Sequence, residues 1–150
     1  MTPGQLRRCD EERLRTLHRN CLLNLDHPER GGEAEALLED IHREFARRAD
    51  KGPDSFLPML ACVGYNVRWG KLEGAERRRL LDWILASDLP RINDAAFMAR
   101  WGEPGSPERR RCLYETILGY RRQYGVRPGM AVADARWRAD LAWLRGRTPA

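Results

Sequence analysis

The chain has 150 residues, of which 42% are hydrophobic and 33% charged, and its formal net charge is +5. This length and composition suit one domain, or two small lobes with a buried core, and exclude intrinsic disorder. The longest apolar runs, such as Met59 to Val63, are far shorter than the roughly 18 residues of a membrane span. The first ten residues carry charges and Pro3 where a signal peptide is apolar, so we expect a soluble, cytoplasmic protein.

The positive charge is concentrated in the second half of the chain. Residues 76 to 150 hold fifteen Arg and no Lys against nine Asp plus Glu, whereas residues 1 to 75 hold twelve Lys plus Arg against thirteen acids. Guanidinium groups bind phosphates bidentately and stack on bases, so a one-sided arginine excess favours a phosphate-binding face. The codon bias of a GC-rich genome would produce the same composition without any such function.

Two amphipathic helices are predicted in the N-terminal part of the chain. Asp10 suits the cap of the first helix, which then carries one apolar stripe. The stripe consists of Leu14, Leu17, Cys21 and Leu25. The second helix covers roughly residues 33 to 50, before Gly52 and Pro53 end it. Residues 1 to 52 are therefore predicted to form a helical pair of mixed, slightly acidic charge.

The middle of the chain alternates short helices with turns. Ser55 is expected to cap a helix that runs through Val63 and is apolar nearly all round, which indicates a buried element. Gly64 suits the end of that helix because glycine readily adopts the left-handed conformation. Trp69 is expected to fold back over the apolar helix, ahead of a turn over residues 70 to 74 and a helix over residues 75 to 87.

Three more helices are predicted before the end of the chain. A short one spans residues 94 to 101, and the clearest start signal of all is Ser106 followed by Pro107. That helix ends at Gly125, and the last one runs over residues 130 to 145. No alternating pattern predicts a strand. We therefore expect an all-α fold, a bundle-like array of six or seven short helices, in which residues 53 to 150 form an arginine-rich module packed with residues 1 to 52 into one compact unit.

One part of the chain resembles a helical module of bacterial proteins to which no activity is attached. The matching stretches are Gly64 to Val67, Arg77 to Ile84, Trp101 to Pro104 with Ser106, and Asp140 to Leu144. The resemblance implies a helical fold unit that runs from Met59 into the last helix, and it implies no chemistry.

Arginine clusters are the main candidate site. They stand at residues 77–79, 109–111 and 121–122, with further arginines in and after the last helix. Because three consecutive residues span most of a helical turn, at least one arginine of each triplet must point away from solvent or along an interface. If Leu113 and Ile117 face the core, the solvent side carries Arg110, Arg111, Arg121 and Arg122. The expected phosphate contacts are Arg109, Arg110, Arg121, Arg122 and Arg138, with Trp143 as an exposed aromatic beside them. The alternative is an ordinary solvated surface whose arginines pair with neighbouring carboxylates.

Histidines and cysteines offer weaker candidates. Cys9, His18, Cys21 and His27 include zinc-ligand types, but their spacing fits no common finger and no Cys-x-x-Cys pair anchors them. We expect no metal and no cofactor, with the cysteines as buried free thiols. His42 lies near two carboxylates, yet such helical neighbours usually form a solvated face, so no catalytic residue is assigned.

These patterns favour a small, non-enzymatic bacterial accessory protein that binds the DNA or RNA phosphate backbone through a C-terminal arginine face, for example within a nucleoprotein complex. The rival is a protein-interaction subunit or inhibitor that docks Trp143, Tyr120 or Tyr124 and the same arginines on an acidic partner surface. A third reading is a catalytic domain that uses His42. The sequence alone leaves all three open.

Overall fold

The computed structural model describes residues 1–52, 57–68 and 72–147. Within these ranges the chain forms eight α-helices and no strand, which confirms the all-α prediction. The helices are α1 (Pro3–Arg7), α2 (Glu11–Asn24), α3 (Gly31–Asp50), α4 (Met59–Val63), α5 (Gly74–Ala86), α6 (Ala95–Arg100), α7 (Pro107–Tyr124) and α8 (Ala131–Gly146). None of these described helices has the length and apolar character needed to cross a bilayer.

The sequence analysis missed α1. Its start is fixed by a capping box, in which the side chain of Thr2 accepts from the amide of Gln5 and the side chain of Gln5 accepts from the amide of Thr2. Five residues are too few to show a helical period, so only the cap could have revealed this helix.

Side-chain caps set the starts of α2 and α7 as predicted. Asp10 accepts from the amide of Arg13 at 2.8 Å to begin α2, and Ser106 accepts from the amide of Arg109 at 3.1 Å to begin α7. Ser55, Trp69 and part of the turn over residues 70 to 74 lie outside the described residues. The local start signals that can be compared with the structure were therefore reliable.

Gly64 ends α4 in the left-handed conformation, with φ of 103°. Any Cβ at this position would also collide with Arg19 and with the carbonyl group of Arg15, both on α2. Glycine is therefore required at position 64 for two reasons: its φ is positive, and the close approach of α2 leaves no room for a Cβ atom.

Contacts divide the chain into two compact units that are each discontinuous in sequence. Unit 1 contains Met1–Tyr65 and Asp88–Ala99, and unit 2 contains Asn66–Ser87 and Arg100–Ala150. The sequence-based prediction placed a boundary between residues 52 and 53, with each part continuous in sequence. The segment from Asp88 belongs to unit 1 because Ile92 is fully buried and Arg91 forms an ion pair of 2.8 Å with Asp50 at the end of α3.

The division sharpens the charge asymmetry of the chain. Unit 1 holds eleven Lys plus Arg against fourteen Asp plus Glu, a formal charge of −3, and unit 2 holds sixteen against eight, a formal charge of +8. The two values sum to the +5 of the whole chain. The positive excess therefore belongs entirely to unit 2.

Unit 2 is built on α5, α7 and α8, whose apolar faces meet in one core. Its buried side chains include Leu80, Ile84, Leu113, Ile117, Trp137 and Leu141. Helices α7 and α8 run antiparallel: Tyr114 near the start of α7 contacts Arg145 near the end of α8, and Arg121 near the end of α7 contacts Asp134 near the start of α8.

A buried ion pair joins α5 to α8 inside this unit. The Nε atom of Arg77 donates to Asp140 at 2.9 Å and an Nη atom donates to the carbonyl group of Leu72 at 3.0 Å. Asp140 is 1% exposed. A buried charge pair contributes little net stability relative to apolar residues, but the loss of one partner leaves the other charge buried and uncompensated.

The first prediction concerns this pair. We expect Asp140→Ala to lower the free energy of unfolding by about 3–5 kcal/mol, because it strands the Arg77 guanidinium in the core. The double variant Arg77→Met/Asp140→Leu should recover most of that loss, since it removes both charges. Urea denaturation measures all three proteins. The matched control is Arg138→Ala on the exposed side of α8, expected to cost no more than about 1 kcal/mol; a double variant as unstable as Asp140→Ala would contradict the prediction.

Candidate functional site

Arg109, one of the expected phosphate contacts, is a structural residue. It is 3% exposed, and its guanidinium donates to the backbone carbonyl groups of Trp101, Ile84, Ser87 and Gly102 at 2.6–2.9 Å. Ile84 and Ser87 lie at the carboxyl end of α5, where carbonyl groups lack helical partners and the helix dipole favours a cation. The expectation that Arg109 meets a phosphate was therefore wrong, because the interior of unit 2 already uses its donors.

Burial of Arg109 turns its two successors outward. Arg110 is half-buried and Arg111 is exposed, as expected for residues one and two positions further round the first turns of α7. Neither side chain has an ion-pair or hydrogen-bond partner in the part of the chain that the structure describes. Arg109 therefore connects backbone segments inside unit 2, whereas Arg110 and Arg111 are surface cations without a carboxylate partner among the described residues.

Two adjoining depressions lie on unit 2 around Arg110. One, the Tyr114 depression, has a volume of about 280 Å³; its lining includes Leu85, Pro107, Arg110, Tyr114, Leu144 and Arg145. The other, the Arg147 depression, has a volume of about 440 Å³; its lining includes Asp82, Leu85, Arg110 and Arg147. Leu85 and Arg110 belong to both linings, so they form the wall between them. We call the two depressions together the arginine groove.

The groove lies where α7 begins and where α5 and α8 end. Four arginines line it, at positions 110, 111, 145 and 147, against two acids, Asp82 and Glu115. Arg147 and Arg145 stand at the carboxyl end of α8, where the helix dipole stabilises cations. Arg110 and Arg111 stand near the amino end of α7, where the dipole disfavours them, so no local interaction explains their placement.

Two aromatic side chains, Tyr114 in the groove and Trp143 beside it, are each in contact with one of the groove arginines. Arg145 donates through Nε to the hydroxyl oxygen of Tyr114 at 2.8 Å, and its guanidinium carbon is 5.6 Å from the centre of that ring. Arg147 forms an ion pair with Asp82, and its guanidinium carbon lies 4.9 Å from the ring centre of Trp143. Trp143 is half-buried and sits beside the groove beneath Arg147, rather than as a freely exposed platform.

The other expected phosphate contacts lie at the opposite end of the α7–α8 pair. Arg121 and Arg138 share one carboxylate, that of Asp134, at 2.9 and 3.1 Å. Arg122 is exposed on the same last turns of α7. Eleven residues of helix separate Arg110 from Arg121, which is about 16 Å along the axis. The expected single face is therefore split, and only Arg110 of the five arginines lies in the groove.

Sequence reasoning did not bring together Arg110, Arg111, Arg145 and Arg147. All four belong to clusters visible in the sequence, but their convergence requires that α7 and α8 be antiparallel neighbours in register. The available signal was the apolar stripe of α7, because Leu113 and Ile117 face the core and so place Arg110 and Arg111 on the solvent side, but it did not show where α8 lies.

A pair of histidines from two helices forms a polar contact inside unit 1. His18 donates from Nδ1 to the carbonyl oxygen of Val63 at 2.9 Å, and its Nε2 lies 2.9 Å from Nε2 of His42. His18 must then accept from His42, which fixes one tautomer of each neutral ring. Burial, and next the charge of His42, lower the pKa of His18 to about 3; burial lowers the pKa of His42 to about 4, against the opposing effect of Asp88.

This geometry changes the meaning of the histidine and cysteine candidates. His18 pairs with His42 and not with Cys21, and among the described residues no three His, Cys, Asp or Glu side chains converge as a metal site. Burial raises the pKa of Cys21 and of Cys62 to about 11, so both are protonated thiols at neutral pH. A protonated thiol is a poor nucleophile and a poor metal ligand.

In sequence the chain matches no protein-family model and no curated protein, and in fold it matches no solved structure. The arrangement of its own side chains is therefore the basis for any functional assignment.

The second prediction tests the role of Arg109. We expect Arg109→Lys to lower the free energy of unfolding by about 3 kcal/mol or more, because an ammonium group cannot reach four carbonyl groups that a guanidinium fork satisfies. Arg110→Lys, one residue further along α7, should change it by less than about 0.5 kcal/mol. Urea denaturation measures both, and equal stabilities of the two variants would contradict the assignment of Arg109 to the core.

The third prediction concerns the histidine pair. Both pKa values are lower in the folded chain than the ordinary value of 6.5, so the unfolded chain binds protons first as the pH falls. The stability that the pair provides is complete above about pH 6.5 and is lost as the pH falls towards 4 and then 3. Each unit of pKa difference corresponds to about 1.4 kcal/mol, so the loss should reach several kcal/mol. Urea denaturation across pH 7 to 4 measures it.

The control uses variants with fewer buried histidines. In His18→Asn/His42→Leu, the asparagine amide still donates to the carbonyl group of Val63, and we expect a flatter pH profile than wild type. The exposed His27, whose Nδ1 accepts from the amides of Glu29 and Arg30, provides the comparison His27→Asn, which leaves the buried pair unchanged. Parallel profiles for all three proteins would show that the pair is not titrating as described.

Proposed function

We propose that this chain is a small, non-enzymatic accessory protein that binds the phosphate backbone of DNA or RNA through the arginine groove of unit 2. The observation that carries the proposal is the position of Arg110 and Arg111. Two guanidinium groups without a carboxylate partner among the described residues stand at the disfavoured end of α7, on the wall of a concave surface. A phosphate would relieve that electrostatic cost, and arginine forks suit its oxygens.

The charge of the unit supports a polyanionic ligand. Unit 2 carries a formal charge of +8, and a basic face of this size attracts nucleic acid through counterion release. Contacts of this kind hold the backbone and read no sequence, so we expect affinity without strong sequence preference.

The surface of the groove favours nucleic acid over an acidic protein partner. Protein interfaces depend on large apolar or aromatic anchors that become fully buried. Among the described residues, the exposed large hydrophobic side chains are Met1, Val126 and Val132, and none of them lines the groove. Tyr120 packs near Trp137, with 6.3 Å between ring centres, and Tyr124 lies beneath Arg127, so neither offers a free anchor.

The fourth prediction tests the groove directly. We expect Arg110→Ala/Arg111→Ala to weaken binding of a fluorescein-labelled oligonucleotide. The slope of log affinity against log salt should also become shallower, by about 1 for each phosphate that the variant no longer neutralises. Fluorescence anisotropy at several salt concentrations between 50 and 200 mM, roughly the range over which such interactions respond, measures both quantities.

The control is Arg122→Ala/Arg138→Ala at the opposite end of the α7–α8 pair. It removes the same two charges, and Asp134 keeps Arg121 as its partner. We expect it to retain nearly wild-type affinity and slope. Equal losses in the two double variants would mean that binding follows net charge without a site, and salt-insensitive or absent binding by wild type would reject the proposal.

A further inference from the structure

The two depressions of the arginine groove differ in the chemical groups of a ligand that they can hold. The Tyr114 depression, at about 280 Å³, lies just below the roughly 300–1,000 Å³ of ordinary small-molecule pockets. It is therefore large enough for one planar ring system and too small for a strand or a helix. Its cationic wall is Arg110, and Arg111 is a further cation of the same lining.

The inner walls of this depression suit a base better than a phosphate. Leu85, Leu144 and Pro107 contribute apolar surface, which gives a phosphate no hydrogen bonds. Glu115 also belongs to the lining and would repel an anion, whereas its carboxylate can accept a hydrogen bond from the amino group of a base. Charge and polarity thus place the phosphate at the arginines and the ring among the apolar walls.

The aromatic surface is oriented before any ligand arrives. The hydrogen bond from Arg145 to the hydroxyl oxygen of Tyr114 fixes the ring on the wall of the depression. Bases stack on tyrosine rings and on guanidinium planes, and both groups are present here. A preformed stacking surface costs less side-chain entropy on binding than one that must be ordered.

The Arg147 depression, in contrast, is partly satisfied from within. Arg147 is held by the carboxylate of Asp82 and lies 4.9 Å from the ring centre of Trp143, whereas Arg145 lies further, 5.6 Å, from the ring centre of Tyr114. Arg110 forms the wall between the two depressions. A nucleic-acid strand that passes over Arg110 therefore reaches the Tyr114 depression as the one less filled by contacts within the protein.

We propose, on the basis of the function proposed above, that the arginine groove binds single-stranded nucleic acid by placing one unpaired base in the Tyr114 depression while Arg110 and Arg111 hold the adjoining phosphates. A duplex offers the same phosphates but keeps its bases stacked inside. It would have to extrude a nucleotide to fill the depression, which costs it affinity. The groove therefore selects single strands.

The test compares three labelled ligands of equal length by fluorescence anisotropy at low salt. They are a single-stranded DNA of mixed sequence, the same strand with abasic tetrahydrofuran sites throughout, and the strand annealed to its complement. We expect the single strand to bind most tightly, with the abasic strand weaker by roughly 5- to 150-fold, the value of one stacked base. The duplex should also be weaker than the single strand.

Two tyrosine variants on the same helix make the test specific. Tyr114→Leu keeps an apolar side chain but removes the ring, so it should lose the difference in affinity between the intact and abasic strands. Tyr124→Leu, at the far end of α7 beneath Arg127, should keep that difference. Circular dichroism and urea denaturation check that both variants fold.

Failure of this inference is distinct from failure of the proposed function. Salt-dependent binding that is equal for intact, abasic and duplex ligands, or unchanged in Tyr114→Leu, overturns the base site and leaves phosphate binding intact. Absence of binding to all three ligands overturns both.

Discussion

The guanidinium of Arg109 is the interaction on which unit 2 depends. It joins the carboxyl end of α5, the segment at Trp101 and Gly102, and the first turn of α7 through bonds to four carbonyl groups. Without the guanidinium those carbonyl oxygens would lose a charged donor, and a buried polar group left without a partner costs about 1–3 kcal/mol. The same burial fixes the rotation of α7 about its axis, and it therefore decides which neighbouring side chains reach solvent.

The groove follows from that rotation. With Arg109 inside, Arg110 and Arg111 emerge beside the last turn of α8, where Arg145 and Arg147 are stabilised by the helix dipole. The groove thus combines two pairs of arginines. Arg145 and Arg147 are stabilised by the dipole of α8, whereas no interaction among the described residues explains the positions of Arg110 and Arg111. That difference, more than the overall arginine content, separates a candidate binding surface from the effect of codon usage.

Local features of this fold could be predicted from the sequence, and long-range ones could not. Residues only a few positions apart determine the caps at Asp10 and Ser106 and the left-handed conformation of Gly64, so these features can be recognised in the sequence. The apolar stripe of Leu113 and Ile117 predicted that Arg110 and Arg111 face solvent, but the carbonyl groups that Arg109 contacts could not be predicted, because they depend on where the end of α5 lies. The pairing of His18 with His42, from different helices, left no trace in spacing.

The interleaved order of the two units has a consequence for biosynthesis. Unit 1 includes Asp88–Ala99, so it cannot be completed until residue 99 has left the ribosome, and by then α5 of unit 2 is already outside. Domains made from one continuous stretch can fold in succession as they emerge. Here, in contrast, unit 1 is still incomplete and its apolar surface is still exposed when α5 of unit 2 has already been synthesised and α7 and α8 have not.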